Sequence, residues 1–391
     1  MEKRFVYADN AATTKLSKTA YEAMLPYLTE QYFNPSSLYS PSKKVKLALE
    51  DARQTVADCI GAEANEVYFT SGGSESDNFA IKSAAQLIRE KGKSHIVTSS
   101  IEHHAILKTL QGLQPFYSFT FLKPERYEGI ILPGYLADAI CKDTGLVSIM
   151  MLNNETGAIQ MIREYGLICR RKNILFHTDA VQAAGHIRID VNHLQVDMLS
   201  ISGHKFHGPK GTGALYVRSG IPLYPLIHGG KQEKGRRAGT ENVAGAVGLA
   251  AALKENCDHM SENYQKIKQM NDRLVYGLIQ IPKTHINSNR IQSYPGIINA
   301  SFEGVEGESL VYLLDLQGIC VSAGSACAAG SPDPSHVLTA MGFSSDYAHS
   351  SIRISIGDYN TMDDIDYMLQ EIPKAVEKLR QASPFYNKTK S

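Results

Sequence analysis

The order of hydrophobic and polar positions predicts strands alternating with helices over most of the chain. Apolar residues recur every three to four positions in 15–31 and in 43–60, which predicts two amphipathic helices, the second ending at Gly61. Short apolar runs then alternate with helical patterns, and we predict strands at 66–70, 95–99, 146–152, 174–179, 196–201 and 213–217. Such alternation is typical of a mostly parallel sheet covered by helices on both faces.

The remainder of the chain has the pattern of a smaller α+β unit. A long helix and a linker are predicted over 255–290, and a strand, a helix and a strand over 297–302, 308–316 and 319–322. Arg353 lies in the middle of a further predicted strand, and a closing amphipathic helix is predicted over 362–381. We therefore predict a large domain formed by 15–255 and a small domain formed by 1–14 together with 256–391.

Composition narrows the possible functions. The chain has 391 residues, of which 43% are hydrophobic and 20% charged, an ordinary soluble composition. Lys+Arg and Asp+Glu both total 40, so the formal net charge is zero and gives no reason to expect binding to nucleic acid or to a membrane surface. The most apolar stretch, 243–253, is far shorter than the roughly 20 residues of a membrane span, and the first residues lack the apolar core of a signal peptide. We expect a cytoplasmic protein that binds neither nucleic acid nor membrane.

The six cysteines are scattered, without CxxC pairs or metal-ligand spacing, so the pattern predicts reduced thiols and no metal site. Five are expected to be small core residues, namely Cys59, Cys141, Cys169, Cys257 and Cys320. Cys327 differs, because it lies in the run VSAGSACAAGS, where small neighbours leave the sulfur accessible and the loop mobile. A nucleophilic thiol that moves with its loop requires both properties.

Lys205 follows a predicted strand in the Gly-rich turn LSISGHKFHGPKGTG. A buried lysine is costly unless it is deprotonated or covalently used, and a lysine with a lowered pKa can form a Schiff base with a carbonyl. A solvated loop lysine is the alternative. Lys205 gains significance from the polar residues that follow the other predicted strands.

Asp179 and the Gly73-Ser74 pair, which follow two other predicted strands, indicate a binding site for pyridoxal 5'-phosphate (PLP). Asp179 ends a strand and could pair with a protonated ring nitrogen, or it could cap a helix. Gly73 and Ser74 lie between a strand and a helix start, where backbone N–H groups bind anions, although a plain turn has the same composition. A lysine Schiff base with an aspartate partner is characteristic of PLP sites, and the ends of parallel strands would bring the three groups together.

His103 and Arg353 each allow two interpretations. His103 could stack on a flat cofactor or could lie at the surface. Arg353, inside an apolar strand, could hold a substrate carboxylate bidentately or could form an internal salt bridge.

At these residues the sequence resembles the cysteine desulfurases, PLP enzymes of the class V aminotransferase superfamily. The resemblance covers nearly the whole chain, through the motifs ADNAATT, NPSS, TSGGSESDN, EHHA, NNETGAIQ, HTDAVQ, SGHKFHGPKGTGALYV, GGKQEKGRRAGTEN, SAGSACAAG and SIRISIG. It implies an α/β fold of type I PLP-dependent transferases. The large domain would hold a mostly parallel seven-stranded sheet between helices, and the smaller α+β domain would carry the mobile cysteine loop.

The resemblance also implies roles for individual residues. Lys205 would form the Schiff base and later move the Cα proton, and Cys327 would attack the sulfur of bound cysteine. Asn34 and Arg353 would bind the substrate carboxylate. His103 would stack on the cofactor ring and take part in catalysis, and Thr240 would bind the cofactor of a partner subunit. The other implied cofactor-binding residues are Gly73, Ser74, Asn154, Asp179, Gln182, Ser202 and His204. No metal is implied, apart from transient iron–sulfur ligation by Cys327.

The implied reaction converts L-cysteine to L-alanine and leaves the sulfur on Cys327 as a persulfide. A homodimer is implied, and so is an acceptor protein, either an iron–sulfur scaffold or a tRNA thiolation enzyme. A selenocysteine lyase or another class V aminotransferase is the alternative, and a non-catalytic sulfur carrier is a third. Tyr39 and Pro41 stand where the family often has histidine and glycine, which affects the local loop after NPSS.

Overall fold

The computed structural model describes residues 4–289, 291–323 and 334–382. Cys327 lies outside the described residues. Among the described helices, none is long and apolar enough to cross a membrane.

Helices and strands alternate along the first two thirds of the chain. In order they are β1 Val6–Tyr7, α1 Lys18–Thr29, α2 Ser40–Ile60, β2 Val67–Thr70, α3 Gly73–Glu90, β3 His95–Ser99, α4 His104–Gly112, β4 Ser118–Leu122, α5 Pro133–Ala139, β5 Thr144–Ser148, α6 Ile162–Arg171, β6 Leu175–Asp179, α7 Val191–Leu194, β7 Met198–Ser202, β8 Gly213–Val217, α8 Gln232–Gly235 and α9 Val243–Leu278. The predicted order of the elements is confirmed here.

The remaining elements form the smaller part of the fold. They are β9 Thr284–Ile286, β10 Ile297–Phe302, α10 Gly307–Asp315, β11 Ile319–Cys320, β12 Ser322–Ala323, α11 His336–Ala340, α12 Ser345–His349, β13 Ser351–Ser355 and α13 Met362–Ala382. Strands β12, β13, β10 and β9 form an antiparallel sheet in that order. Arg353 is central in it, paired in register with Asn299 on one side and Ser322 on the other.

The main sheet has seven strands in the order β2-β8-β7-β6-β5-β3-β4. Strands β4, β3, β5, β6 and β7 run parallel to one another, whereas β8 is antiparallel to both β7 and β2. Strands β3, β5, β7 and β8 are buried along their whole length, as expected for strands covered on both faces. The mostly parallel seven-stranded sheet is therefore as predicted.

The N-terminal segment joins the two parts of the fold. Strand β1 pairs in parallel with β11, matching Val6 to Ile319. Further along, the backbone N–H of Ala11 donates to Ser355 Oγ at 2.9 Å, and that of Thr14 donates to the His204 carbonyl at 2.9 Å. Residues 9–14 thus lie between the small sheet and the turn that carries Lys205.

Two elements differ from the sequence prediction. Strand β4 has no counterpart in it, because this edge strand is only partly buried and lacks a continuous apolar run. Helix α9 begins at Val243, well before the predicted start at 255, with the Asn242 side chain capping it. The Ala- and Gly-rich first turns lie close to α1, where a Cβ on Gly248 would lie 2.5 Å from Met24 Cγ.

The expectation of five core cysteines is wrong for most of them. Only Cys169 among the five described cysteines is buried, whereas Cys141 is exposed and the other three are partly exposed.

Candidate active site

A cavity of about 380 Å³ opens at the carboxyl ends of the central strands, within the size range of small-molecule sites. It lies where the turns after β6 and β7, the start of α3, the N-terminal segment and β13 meet. Its lining is formed by Ala11, Ala12, Gly73, Ser74, Asp77, His103, Met150, Leu152, Asn154, Asp179, Val181, Gln182, Ser202, His204, Lys205 and Arg353. Ten residues singled out from the sequence therefore share one cavity.

Lys205 ends a 3₁₀ turn, Gly203–Lys205, directly after β7. Its Nζ donates to the carbonyl oxygens of Ala11 and Ala12 at 2.7 and 2.8 Å. Its own carbonyl accepts a hydrogen bond from His186 Nε2 at 3.0 Å. The amine is therefore held at the cavity by defined partners, which argues against a mobile, solvated loop lysine.

Asp179 is the last residue of β6 and is 5% exposed. Burial raises the pKa of its carboxyl to about 6, although the hydrogen bond from the Val181 N–H, at 2.8 Å, and the charge of Lys205 oppose this shift. The carboxylate therefore closes the turn after the strand, as the capping alternative suggested, and also lines the cavity. The two interpretations of Asp179 are compatible.

The start of α3 forms an anion cradle next to the lysine turn. Gly72 has φ of 148°, a conformation that favours glycine, and a Cβ on Gly73 would lie 2.6 Å from Val181 Cγ2. The same Cβ would be 3.5 Å from Ser202 Cβ, so the cradle and the end of β7 face each other. The first N–H groups of a helix lack intrahelical acceptors and attract anions.

His103 precedes α4, and its Nδ1 accepts a hydrogen bond from the Ala105 N–H at 3.1 Å. Burial lowers the pKa of its imidazole to about 4, and the nearby charges of Lys205 and His104 act in the same direction. The ring is consequently neutral near pH 7, with its Nδ1 lone pair used by the helix N-terminus. A neutral, half-buried ring at the cavity wall suits stacking on a flat group.

Arg353 forms the internal salt bridge that the sequence left as an alternative. Its Nη2 donates to Asp9 Oδ1 at 2.8 Å and to Ser322 Oγ at 3.2 Å, and its Nη1 donates to the Asn154 carbonyl at 3.1 Å. Among the described residues, none accepts a hydrogen bond from its buried Nε. Arg353 thus lines the cavity while its Nη2 is committed to the N-terminal segment and the small sheet.

Several other predicted residues have partners within the chain. Gln182 Nε2 donates to the Ala11 carbonyl at 2.8 Å, and His204 Nδ1 lies 3.1 Å from Thr13 Oγ1. Asn34 and Thr240 are exposed and do not line the cavity. The side chain of Asn34 accepts from the Ser36 N–H at 2.8 Å. The assigned roles of these four residues, and that of Cys327, stay predictions.

Asp77 is a cavity residue that the sequence analysis missed. It lies one turn into α3, is 1% exposed, and among the described residues none donates a hydrogen bond to its Oδ1. His177 Nε2 lies 3.8 Å from that oxygen. Burial and the neighbouring Asp179 raise the pKa of Asp77 well above its ordinary value. The available signal was a carboxylate three positions after Ser74 of the Gly-Gly-Ser run, near the start of a predicted helix, where interaction with the helix N-terminus is the ordinary interpretation.

The loop after NPSS shows how Tyr39 and Pro41 are accommodated. Tyr39 is the N-cap residue of α2, and Pro41 lies in the first turn, where its missing N–H costs no helical hydrogen bond. The Tyr39 ring packs edge-on against Phe33, with centroids 6.1 Å apart.

These residues fit PLP by their chemistry. The cavity combines an amine able to form a Schiff base, a buried carboxyl suited to a ring nitrogen, a neutral imidazole, and a helix N-terminus suited to a phosphate. Arg353 lines the same cavity, and its guanidinium is a group suited to a carboxylate.

Comparisons with known proteins agree with this chemistry. The family model described as aminotransferase class-V matches residues 6–368. "Cysteine desulfurase IscS" of Methanosarcina thermophila is 51% identical over 384 residues, which cover 98% of this chain and 95% of that protein. A solved "NifS-like protein" superimposes with a TM-score of 0.90 at 38% identity, covering 96% of this chain and all of that one. The structure "SspA in complex with cysteine" matches with a TM-score of 0.80 at 37% identity, covering 91% of this chain and 100% of that one. These matches confirm the predicted fold class of type I PLP-dependent enzymes, and the chain belongs to the class V aminotransferase family and, within it, to the cysteine desulfurases.

Proposed function

We propose that this chain is a PLP-dependent enzyme that converts L-cysteine to L-alanine and takes the sulfur onto Cys327 as a persulfide. The observation that carries the proposal is the convergence of Lys205, Asp179, the α3 N-terminus and Arg353 on one cavity. The relatives named cysteine desulfurase, and a matching structure whose title names bound cysteine, support L-cysteine as substrate.

Cofactor binding is assigned to the residues that line the cavity. Lys205 would hold the cofactor covalently, Asp179 would face its ring nitrogen, and His103 would stack on its ring. The phosphate would take N–H groups from Gly73 and Ser74, with Ser202 and His204 beside it, while Asn154 and Gln182 would face the ring substituents. When bound, PLP supplies an electron sink for negative charge that develops at the substrate Cα.

The proposed reaction uses Lys205 and Arg353 of the cavity together with Asn34 and Cys327. Arg353 holds the substrate carboxylate, with Asn34 as the second predicted contact. The Lys205 amine removes the Cα proton, and the Cys327 thiolate attacks the substrate sulfur. The new S–S bond forms as the C–S bond breaks, so that the enzyme thiol and L-cysteine become an enzyme persulfide and L-alanine. The persulfide then passes its outer sulfur to an acceptor thiol.

The same proposal includes a homodimer. Large apolar side chains are exposed around α1 and α2, including Leu38 at 97% and Tyr32 at 70% exposure. Such a patch favours a protein interface. A second copy of the chain would cover it and would also explain why Thr240 is exposed, because Thr240 would then contact the cofactor phosphate of the partner subunit. Sedimentation equilibrium tests this. A monomer at micromolar concentration contradicts it.

The division into a large domain of 15–255 and a small domain of 1–14 with 256–391 is part of the proposal, supported by the pairing of β1 with β11. Location in the cytoplasm and sulfur delivery to an iron–sulfur scaffold or a tRNA thiolation enzyme also belong to it, supported by the relatives' name. Transient iron–sulfur ligation by Cys327 belongs to the same acceptor step.

The decisive experiment measures alanine and sulfide released from L-cysteine in the presence of a reductant. Cys327→Ser should retain the cofactor absorbance and lose sulfide release, whereas Cys141→Ser, which removes an exposed thiol that the reaction does not use, should behave like the parent. Desulfuration of L-cysteine by Cys327→Ser at the parental rate would refute the role of Cys327. Turnover of selenocysteine alone would favour the lyase alternative, and binding of sulfur without alanine would favour a carrier.

A further inference from the structure

A second, smaller cavity lies beside the candidate active site and shares Ala11 and Gln182 with it as wall residues. Its volume is about 30 Å³, far below the size range of small-molecule sites. The side chains of His186 and Tyr294 line it. The proposed reaction gives neither of them a role, although His186 contacts the backbone of Lys205 directly.

The lysine turn is held through its carbonyl oxygens. The His204 carbonyl accepts a hydrogen bond from the backbone N–H of Thr14 at 2.9 Å. The Lys205 carbonyl instead accepts from a side chain, His186 Nε2, at 3.0 Å. Because a carbonyl oxygen can only accept, Nε2 must carry the ring proton in this contact. The backbone of Lys205 therefore depends on where one imidazole carries its proton.

Tyr294 defines the other side of that imidazole. Its hydroxyl lies 3.3 Å from His186 Nδ1, and the centroids of the two rings are 5.1 Å apart. Burial lowers the pKa of the His186 imidazole to about 4, so the ring is neutral near pH 7. With the proton on Nε2, Nδ1 is an acceptor, and the Tyr294 hydroxyl donates to it. Tyr294, His186 and the Lys205 carbonyl thus form one chain of hydrogen bonds.

The backbone fixes both ends of this chain. Gly185 has φ of 77°, and a Cβ there would lie 2.8 Å from Phe206 Cβ, so the segment that carries His186 lies directly against the lysine turn. Tyr294 is 5% exposed, and its backbone N–H donates to the Gly157 carbonyl at 2.9 Å. The two rings are consequently held at defined positions behind Lys205.

We propose that His186, oriented by Tyr294, is a positioning residue for Lys205. It fixes the backbone of Lys205, so that the amine stays at the cavity. The inference rests on the proposed function, in which Lys205 holds PLP and removes the Cα proton. Loss of the hydrogen-bond chain should slow the steps that Lys205 performs and leave the carboxylate contact of Arg353 intact. The expected signature is therefore a lower kcat with an unchanged KM.

The test begins with Tyr294→Phe, which keeps the ring and removes the hydroxyl. The rate at which added PLP becomes trappable on Lys205 by borohydride should fall about fivefold, as for loss of one neutral hydrogen bond. The kcat for alanine formation should fall by a similar factor at parental KM. His186→Leu should lower both rates at least as much. His186→Gln keeps a side-chain donor, so it should lower them less, and adding Tyr294→Phe to it should have no further effect.

Tyr264→Phe is the matched control, because it removes a hydroxyl from another tyrosine that lines the same cavity, and it should match the parent. Nitrogen NMR of the PLP-loaded parent with isotope-labelled histidine should place the His186 proton on Nε2, in a signal that His186→Gln lacks. A proton on Nδ1 would overturn the proposal, and so would a parental attachment rate and kcat in Tyr294→Phe or a change in KM alone. A parent that forms no alanine would refute the proposed function, whereas the attachment rate and the NMR signal would still decide the role of His186.

Discussion

Arg353 donates from Nη2 to the Asp9 carboxylate at 2.8 Å, and Asp9 belongs to the segment whose Ala11 and Ala12 carbonyls hold the Lys205 amine. The two residues are separated by 344 positions in sequence. The N-terminal segment therefore fixes both the group proposed to hold the substrate carboxylate and the group proposed to hold the cofactor. The salt bridge to Asp9 and the proposed carboxylate contact would therefore involve the same guanidinium.

The first prediction concerns Asp9→Asn. Without the carboxylate, the guanidinium of Arg353 loses a charge-assisted hydrogen bond, of a kind worth about 1.5–3 kcal/mol. We expect KM for L-cysteine to rise about tenfold or more, with a smaller change in kcat, because the carboxylate contact is displaced while the chemistry is retained. Steady-state alanine formation measures both constants. Asp366→Asn, at an exposed salt bridge of α13, is the matched control and should leave KM unchanged. A parental KM for Asp9→Asn would show that Asp9 does not position Arg353.

The second prediction concerns the lysine itself. Lys205→Ala should abolish covalent attachment of PLP, measured as cofactor retained on the protein after borohydride reduction and denaturation. Lys210→Ala is the control, because this exposed lysine lies in the same Gly-rich turn. Peptide mapping should place the reduced adduct on Lys205 in the parent and in Lys210→Ala. An adduct of parental yield in Lys205→Ala would contradict the assignment.

The third prediction uses the buried carboxyl of Asp77. Its pKa in the folded protein is raised by burial and by Asp179, so above the ordinary value of 3.8 the carboxyl destabilises the folded state. Asp77→Asn should therefore increase the free energy of unfolding of the cofactor-free protein near pH 7 by about 1–3 kcal/mol. The difference should vanish at pH below about 3.8, where the carboxyl is protonated in both states. Urea unfolding of parent and variant at the two pH values measures it.

A loss of stability near pH 7 in Asp77→Asn would show that the ionised carboxylate is stabilising. Asp366→Asn again serves as the exposed control and should show no pH-dependent gain.

Much of the fold could be predicted because its signals are local. Apolar runs and helical periodicity identified every strand of the central sheet except β4, whose exposed edge position removes the pattern of a buried strand. The predicted start of helix α9 lies too far along the chain. The Ala and Gly residues near its N-terminus pack closely on α1, and the hydrophobic periodicity does not reveal such small packing residues.

The candidate site was predictable to the extent that its residues follow strands. Asp179 ends a strand, Lys205 and Gly73 follow strands within three residues, and the carboxyl ends of neighbouring strands bring such residues to one edge. The partner of Arg353 was not predictable, because Asp9 reaches it through a parallel bridge to Ser355, a pairing between residues far apart in the sequence.

The last prediction concerns the junction between the lysine turn and the small sheet. His207 Nε2 lies 2.8 Å from Asp358 Oδ1, and the His207 Nδ1 faces the Lys15 carbonyl at 2.9 Å. Burial lowers the pKa of His207, but the hydrogen bond and charge of Asp358 outweigh it, so the net pKa is raised. For Asp358, burial raises the pKa, but the hydrogen bond and charge of His207 lower it overall.

These opposite shifts define a pH window. The contribution of His207 is complete below its unfolded pKa of 6.5 and is lost as pH rises through the folded pKa. The contribution of Asp358 is complete above its unfolded pKa of 3.8 and is lost as pH falls through the folded pKa. The pair should therefore stabilise the fold most between about pH 4 and about pH 6.5. His207→Gln should lower the free energy of unfolding by about 1–3 kcal/mol near pH 5.5 and by less near pH 8.5.

Urea unfolding of the cofactor-free protein at both pH values distinguishes this ion pair from simple packing of the ring. His259→Gln is the control, because that histidine is exposed on α9 and lies 3.6 Å from the exposed Glu262. If His207→Gln lowers stability equally at both pH values, the ring acts by packing against Tyr359, whose centroid lies 4.9 Å away, rather than by its charge. A loss confined to the lower pH would establish the ion pair as the link between the lysine turn and the small sheet.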